Sequence, residues 1–297
     1  MTSGEHISVM PKESMEYLAL PVGGVAVDAT LGLAGHSVLI ATQLGSNGHL
    51  IGIDRDNAAL AKAKARLASF GLRIDLLPGS FADIDKLLAQ VNVSVVDGIL
   101  MDLGISSFQL DDSARGFAFS VDGPLDMRMD NTKGDSAEDL VNDLSVLELE
   151  QIFWEWGEER FSRRFAQAIV TARSVNRITT TKQLADLLLR ALPGKYQRGR
   201  IHPATRSFQG LRIAVNDELG ALTEGLKKAF ALLKPGGRLV VISFHSLEDR
   251  IVKTFFRRLS DEDQGRLIVK KPLVPTEEEC VANLRSRSAK MRVIEKV

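Results

Sequence analysis

One cysteine, Cys280, is all that 297 residues provide. An internal disulfide is thereby excluded, as is a zinc cluster built on cysteines, and Cys280 itself reads as an ordinary thiol near the tail. No metal is expected. Long apolar runs are equally scarce, none reaching the roughly 18 residues that a bilayer span requires. The opening stretch, MTSGEHISVMPKES, has neither the basic start nor the apolar run of a secretory leader, so no membrane partner and a cytoplasmic location are expected. Net charge is missing too: 38 basic residues offset 38 acidic ones. At first sight that speaks against a polyanionic partner. What the chain does have is 44% hydrophobic residues, enough for one enzyme-sized core carrying an insertion.

The zero balance hides a segregation. From Asp97 to Glu159 there are 16 acids and 3 bases, and from Arg160 to Asn216 there are 12 bases and a single acid, Asp186. The basic stretch, with Arg160, Arg163, Arg164, Arg173, Arg177, Lys195, Arg198, Arg200, Arg206 and Arg212 around Tyr196, reads as a surface for a phosphate backbone. Arg285, Arg287, Lys290 and Arg292 would extend it.

Short β-rich runs alternate with helical ones over the first hundred residues: GVAVDAT, HLIGID, RIDLLPG and VVDGILMDLG as strands, with HSVLIATQL, NAALAKAKARLASF and DIDKLLAQ between them. That order predicts an α/β fold of parallel strands with crossover helices. The rhythm then stops. Residues 111–215 hold helical patterns only, including SVLELEQIFWEW, where Trp154 and Trp156 are expected to pack inside. A long helix from about Thr205 leads to LLKPGGRLVVISF, which restarts the sheet, and RLIVKK and MRVIEKV are candidates for its last strands. The expected organisation is a Rossmann-like domain, residues 1–110 and 216–297, split by a helical insert, residues 111–215.

In such a sheet, ligands sit beyond the carboxyl ends of the strands where the strand order reverses. The first strand-to-helix turn, VDATLGLAGHS, lacks the G-x-G-x-x-G of dinucleotide binders; only Gly32-x-x-Gly35 is present, and Asp28 stands where the first glycine would be. A carboxylate there suits a cationic ligand better than a pyrophosphate, and S-adenosylmethionine, with an ammonium and a sulfonium, fits. Asp54 ends the second strand, where an acid takes ribose hydroxyls of NAD and S-adenosylmethionine alike. Phe81 follows the third strand and suits an adenine face. Asp102 ends the fourth.

With those residues in hand, the chain resembles the small-subunit ribosomal RNA methyltransferase H family, the MraW family. The resemblance rests on HISVM, DATLGLAGHS, DLGISSFQLDDSARGFAFSVDGPLDMRMD, HPATRSFQGLRIAVNDEL, SFHSLEDRIVK and RSRSAKMRVIEK. It implies S-adenosylmethionine-dependent methylation of the exocyclic 4-amino group of a cytidine in the decoding region of 16S ribosomal RNA, with the small ribosomal subunit as partner and a homodimer as the assembly. It also implies cofactor contacts at Ala34, Gly35, His36, Asp54, Phe81, Asp102 and Gln109. Two positions depart from the family pattern. Ala34 replaces a usual glycine, which is expected to be tolerated while φ stays negative. Phe108 replaces the proline of Ser-Ser-Pro-Gln, just before Gln109.

A cytosine amine is a weak nucleophile, so the site must hold nitrogen, methyl carbon and sulfur in line and offer an acceptor for the amine hydrogens. Asp102 is the best-placed acceptor. Methylation at ring carbon 5 would need a cysteine nucleophile, and Cys280 lies outside every motif. His245 and Ser246 follow the fifth strand and border the expected base site. Their alternative reading has Ser246 as an N-cap, with Glu248 and Asp249 serving the helix dipole. Asp126 and Arg128 form either a wall of the base pocket or a salt-bridged loop. Arg198, Arg200 and Arg206 are expected on the RNA backbone, and His202 in a structural turn. An NAD-dependent oxidoreductase is disfavoured by Asp28 and the missing glycines, and a non-catalytic assembly factor by the intact acids.

Overall fold

The computed structural model describes residues 8–197 and 202–297, the side chains of Ser107 and Lys195 excepted. The chain divides into two compact units. One comprises the residues up to Ser106 together with Leu219–Val297, and the other is Ser107–Glu218.

In chain order the first unit begins with α1 (Pro11–Leu18), β1 (Val25–Asp28), α2 (Gly35–Leu44), β2 (His49–Asp54), α3 (Asn57–Leu67), β3 (Arg73–Pro78), α4 (Ile84–Gln90) and β4 (Val96–Asp102). The second unit carries α5 (Ser107–Asp111), α6 (Ala137–Asp143), α7 (Val146–Gln151), α8 (Ser162–Arg173), α9 (Thr181–Ala191) and α10 (Ala204–Asn216). The chain returns through α11 (Glu218–Leu232) to β5 (Leu233–Ser243), α12 (Ser246–Asp261), β6 (Gly265–Leu267), α13 (Glu277–Ala282) and β7 (Lys290–Lys296). No helix of the described residues is long and apolar enough to cross a membrane.

The seven strands form one Rossmann-like sheet in the order β3-β2-β1-β4-β5-β7-β6. β1 to β5 are parallel, and β7 runs antiparallel between β5 and β6. From β1 the chain steps outward to β2 and β3, then jumps back across β1 to β4. The strand order therefore reverses between β1 and β4, and the crevice beyond their carboxyl ends is the topological switch point. Strand residues alternate between two cores. Val27, Ile51, Ile99 and Val241 pack with Leu88, Leu226 and Phe256 on one face. Ala26, Leu50, Leu100 and Val240 pack with Leu18, Ile40 and Leu67 on the other. Both faces are covered, so the strands read as near-continuous apolar runs.

In the second unit the described residues form no strand, only an isolated bridge between Pro124 and Thr180. Capping boxes start three of its helices: Ser136 with Asp139, Ser145 with Glu148, and Thr180 with Gln183. A π-helical turn over Ile152–Trp156 continues α7, and the Gly157 N–H donates to the Ile152 carbonyl at 3.2 Å. There α10 crosses at backbone distance. A Cβ added at Gly157 would lie 2.7 Å from the Arg206 carbonyl oxygen, and one at Gly210 would lie 2.9 Å from that of Ile152.

The structure corrects three sequence expectations. The long helix from about Thr205 is two helices, because Asp217 takes a left-handed conformation (φ 47°) that ends α10, with its N–H bonded back to the last turn. A short polar side chain tolerates that geometry. In RLIVKK only the first residues, Arg266 and Leu267, lie in β6, which follows β7 for three residues. Trp154 is 61% exposed rather than packed inside, because Leu149, Ile152 and Phe153, at i, i+3 and i+4, take the buried face and leave position 154 on the opposite one.

Gly210→Ala should destabilise the second unit by about 1–3 kcal/mol, since neither facing backbone can retreat. Urea denaturation checks this; a loss below about 0.5 kcal/mol would show that the crossing has slack.

Candidate active site

The first turn after β1 is built by a buried acid. Asp28 is 1% exposed, and its carboxylate accepts hydrogen bonds from the Ser37 hydroxyl at 2.6 Å and the Thr30 N–H at 3.3 Å. Burial raises its pKa; the Ser37 hydroxyl, His36 and the Thr30 N–H offset this only in part. The Thr30 hydroxyl accepts from the Asp102 N–H at 2.7 Å, joining the β1 turn to the tip of β4. The Leu31 N–H donates to the Ile53 carbonyl at 2.9 Å, and the Gly32 N–H to the Asp54 carboxylate at 2.7 Å, joining it to β2.

Gly32 and Ala34 both have positive φ, 51° and 61°. The condition under which Ala34 is expected to be tolerated, a negative φ, is therefore not met. The turn must reverse direction within three residues to deliver the chain into α2, and Ala34 is fully buried there, its N–H bonded to the Leu31 carbonyl at 2.8 Å. α2 then starts at Gly35 without a side-chain cap, which leaves its first N–H groups as donors for an anionic group.

Asp54 accepts from both Gly32 and Asp56 N–H groups, at 2.7 and 2.8 Å. Burial outweighs these bonds and pushes its pKa up to about 6. At the tip of β4, Asp102 Oδ2 lies 3.4 Å from His36 Nε2. Burial acts to lower the His36 imidazole, but Asp102, with Asp28 and Glu279, outweighs it and raises the pKa. Asp102 Oδ1 and both His36 ring nitrogens are buried and make no hydrogen bond within the described protein. Buried polar atoms left this way are costly unless a ligand takes them up. After β3, Phe81 packs against α11: a Cβ added at Gly225 would lie 2.6 Å from its ring. The Arg55 guanidinium stands 5.9 Å from the ring centroid and donates to the Ser80 hydroxyl at 2.7 Å.

Asp28, Gly32, Ala34, Gly35, His36, Asp54, Phe81 and Asp102 thus come together at the carboxyl ends of β1 to β4. Thr30 and Ser37, which wire that edge together, were not singled out from sequence; hydroxyls two and nine residues after a strand-end acid were the available signal. Gln109 belongs to the second unit, buried in α5.

Other expected residues are engaged by neighbours within the chain. His245, not Ser246, is the N-cap of α12: its Nδ1 accepts from the Glu248 N–H at 3.4 Å, and the buried Glu248 carboxylate accepts from the Phe244 and His245 N–H groups. Asp249 forms a two-bond ion pair with Arg292, the shorter bond 2.6 Å, and lies 3.6 Å from Lys290, so these two cations are not a free basic surface. Asp126 and Arg128 hold each other through bonds of 2.8 and 2.9 Å, the salt-bridged loop. Arg177 faces Glu138, Asp139 and Asp143, Arg212 grips Glu218, and Arg173 caps α6 through the carbonyls of Val141 and Leu144. Arg206 is exposed and donates to the Glu158 carbonyl. His202 accepts from the Ala204 N–H, as a turn residue would. Arg198 and Arg200 lie outside the described residues.

Ala34→Val should destabilise the protein by about 2 kcal/mol or more, because a β-branched residue meets both a left-handed backbone and a filled core. Ala34→Gly should stay within about 1 kcal/mol, as relieved strain offsets the lost methyl group. Urea unfolding of the two variants separates strain from packing; equal losses would rule out the backbone account.

Residues 3–297 match the model of the MraW methylase family. The chain is 50% identical over 312 residues to ribosomal RNA small subunit methyltransferase H of Trichlorobacter lovleyi, with 100% of both chains covered. It is 51% identical over 310 residues to the protein of that name from Geobacter sulfurreducens, covering 98% of this chain and 99% of the other. An edge that gathers acids, a buried histidine and an uncapped helix start at the switch point is thus carried by a sequence alike from end to end. The chain belongs to the MraW methylase family of S-adenosylmethionine-dependent methyltransferases.

Proposed function

We propose that this enzyme methylates the exocyclic N4 amine of a cytidine in the decoding region of small-subunit ribosomal RNA. The observation that carries the reading is the juxtaposition of Asp102, His36 and the α2 start at the switch point, with polar atoms left for a ligand. The residues fit the cofactor by charge. N–H groups at the start of α2 suit its carboxylate, Asp54 its ribose hydroxyls, and the acids of the crevice its cationic groups. S-adenosylmethionine, when bound, supplies the electrophilic methyl group.

The protein's own work is orientation and proton acceptance. Thr30 holds the Asp102 backbone in place, leaving the carboxylate at the crevice with one oxygen beside His36 and the other without a hydrogen bond among the described residues. That second oxygen can accept a hydrogen from the amine as its nitrogen becomes more tetrahedral. Direct transfer needs no protein nucleophile, in keeping with a chain whose one cysteine lies in α13, away from the β4 tip in sequence. We assign RNA recognition to the second unit, whose sequence holds the basic stretch.

The deciding assay is methyl transfer from labelled cofactor onto naked RNA and onto assembled small subunits, with nucleoside analysis of the product. N4-methylcytidine is expected; label on ring carbon, ribose or protein would overturn the reading. Asp102→Asn should lower kcat by about 100-fold or more while cofactor affinity changes much less. Equal losses in both would reduce Asp102 to a cofactor contact.

Asp54 sets a pH dependence whose two signs differ. Its raised pKa, about 6, means that the unliganded fold favours the neutral acid, so its stabilising contribution is present at low pH and is lost as pH rises through 6. Cofactor binding runs the other way, since ribose hydroxyls donate to the ionised carboxylate. About one-tenth of Asp54 is ionised at pH 5 and about nine-tenths at pH 7, so the dissociation constant of S-adenosylhomocysteine should rise by up to about tenfold on acidification. Asp54→Asn should bind weakly with that dependence largely removed. Calorimetry at the two pH values checks both; an undiminished pH dependence in the variant would assign it to another group.

A further inference from the structure

Once the paired cations are set aside, four arginines of the second unit are left together. Arg160, Arg163, Arg164 and Arg190 line an open groove of about 820 Å³ between α8 and the end of α9, and no acidic residue lines it. All four are exposed, and none has a carboxylate partner among the described residues. This contrasts with Arg177, which faces three acids, and Arg212, which grips one. Asp186, the single acid of the basic stretch, faces Lys182 at 3.5 Å.

The groove also holds its cations in place. The Arg160 guanidinium lies 4.3 Å from the centroid of the Tyr196 ring and 4.7 Å from that of Phe161, an arrangement that fixes its plane and leaves its N–H edge available. Arg164 donates its Nε–H to the Ala191 carbonyl at the end of α9, leaving its terminal nitrogens to other acceptors. Planar guanidiniums fixed in this way match phosphate oxygens two at a time.

We propose that this α8–α9 groove is a track for the RNA phosphate backbone, holding a strand while the crevice of the other unit reads the base. The proposal rests on the reading of the substrate as RNA and specifies where on the second unit it is gripped. An acidic protein segment would be met by the same charges. RNA is favoured because four arginines and no acid line the groove, a density of unopposed guanidiniums that suits the repeating charge of a phosphate backbone.

The test uses the full-length enzyme, a single-stranded fragment of small-subunit RNA, and purified subunits. Arg163 and Arg190 make no side-chain hydrogen bond or ion pair in the described structure, so R163E combined with R190E is the variant of choice; K253E, on the exposed face of α12, controls for charge alone. The double variant should bind the fragment roughly tenfold or more weakly at 0.1 M salt. Loss of two phosphate contacts should also make its log–log salt slope shallower by about 1.4–1.8. S-adenosylhomocysteine affinity and the unfolding midpoint should match the wild type; if the midpoint falls, R163Q combined with R190Q is read in its place. Unchanged RNA affinity and slope in a variant whose wild type binds and methylates RNA would overturn the groove alone. So would loss of subunit binding with naked-RNA binding intact, which would assign the groove to a protein segment. A wild type that neither binds nor methylates RNA would overturn both this proposal and the substrate reading.

Discussion

The buried carboxylate of Asp28 is the interaction on which the site depends. It sits at the end of a strand with almost no contact with solvent, where an isolated charge is expensive. Ser37 from the first turn of α2 and the Thr30 backbone supply its hydrogen bonds, so the acid ties the strand tip to the helix that follows. Thr30 extends the connection to β4, and Gly32 extends it to β2. The turn is thereby fastened to three strands, and the uncapped start of α2 inherits that rigidity. Preorganisation of this kind is what a binding crevice requires, because groups already fixed have little freedom left to lose.

The same arrangement concentrates electrostatic cost. Asp28, Asp54 and Asp102 sit at the tips of strands of one sheet, and burial raises the first two. A ligand bearing positive charge relieves that cost, which gives the crevice a physical preference for a sulfonium donor over a pyrophosphate. His36 beside Asp102 adds an imidazole whose pKa that acid raises. Stability spent on crowded acids becomes affinity when the complementary charge arrives.

Charge in the second unit follows a different logic. Along the chain, acids come first and bases second, a separation that suggests two opposed surfaces. Folding brings part of the basic stretch against the acidic one, so that Arg177 meets Glu138, Asp139 and Asp143, while Arg212 meets Glu218 beyond both stretches and Arg173 serves a helix end. Part of the apparent basic surface is consumed in holding the helices together. The arginines that remain available are fewer, and they are grouped.

The parallel sheet, its crossover helices and the acids at its strand tips were legible from the sequence, because strands buried on both faces must be apolar throughout and must end where a polar residue meets solvent or ligand. The alternation of Val27 and Ala26, or Ile51 and Leu50, between two cores follows from strand geometry alone. Tertiary structure decided the rest. The left-handed Ala34, the break at Asp217, the outward turn of Trp154, His245 rather than Ser246 as a cap, and Arg292 locked to Asp249 all depend on neighbours distant in the chain or on a backbone that must change direction. Local propensity and residue type carry no information about which opposite charge will be within reach once the chain is packed. A sequence can therefore declare where its acids and hydroxyls fall along each strand and helix, and only the folded chain determines which of them remain unspent for a ligand.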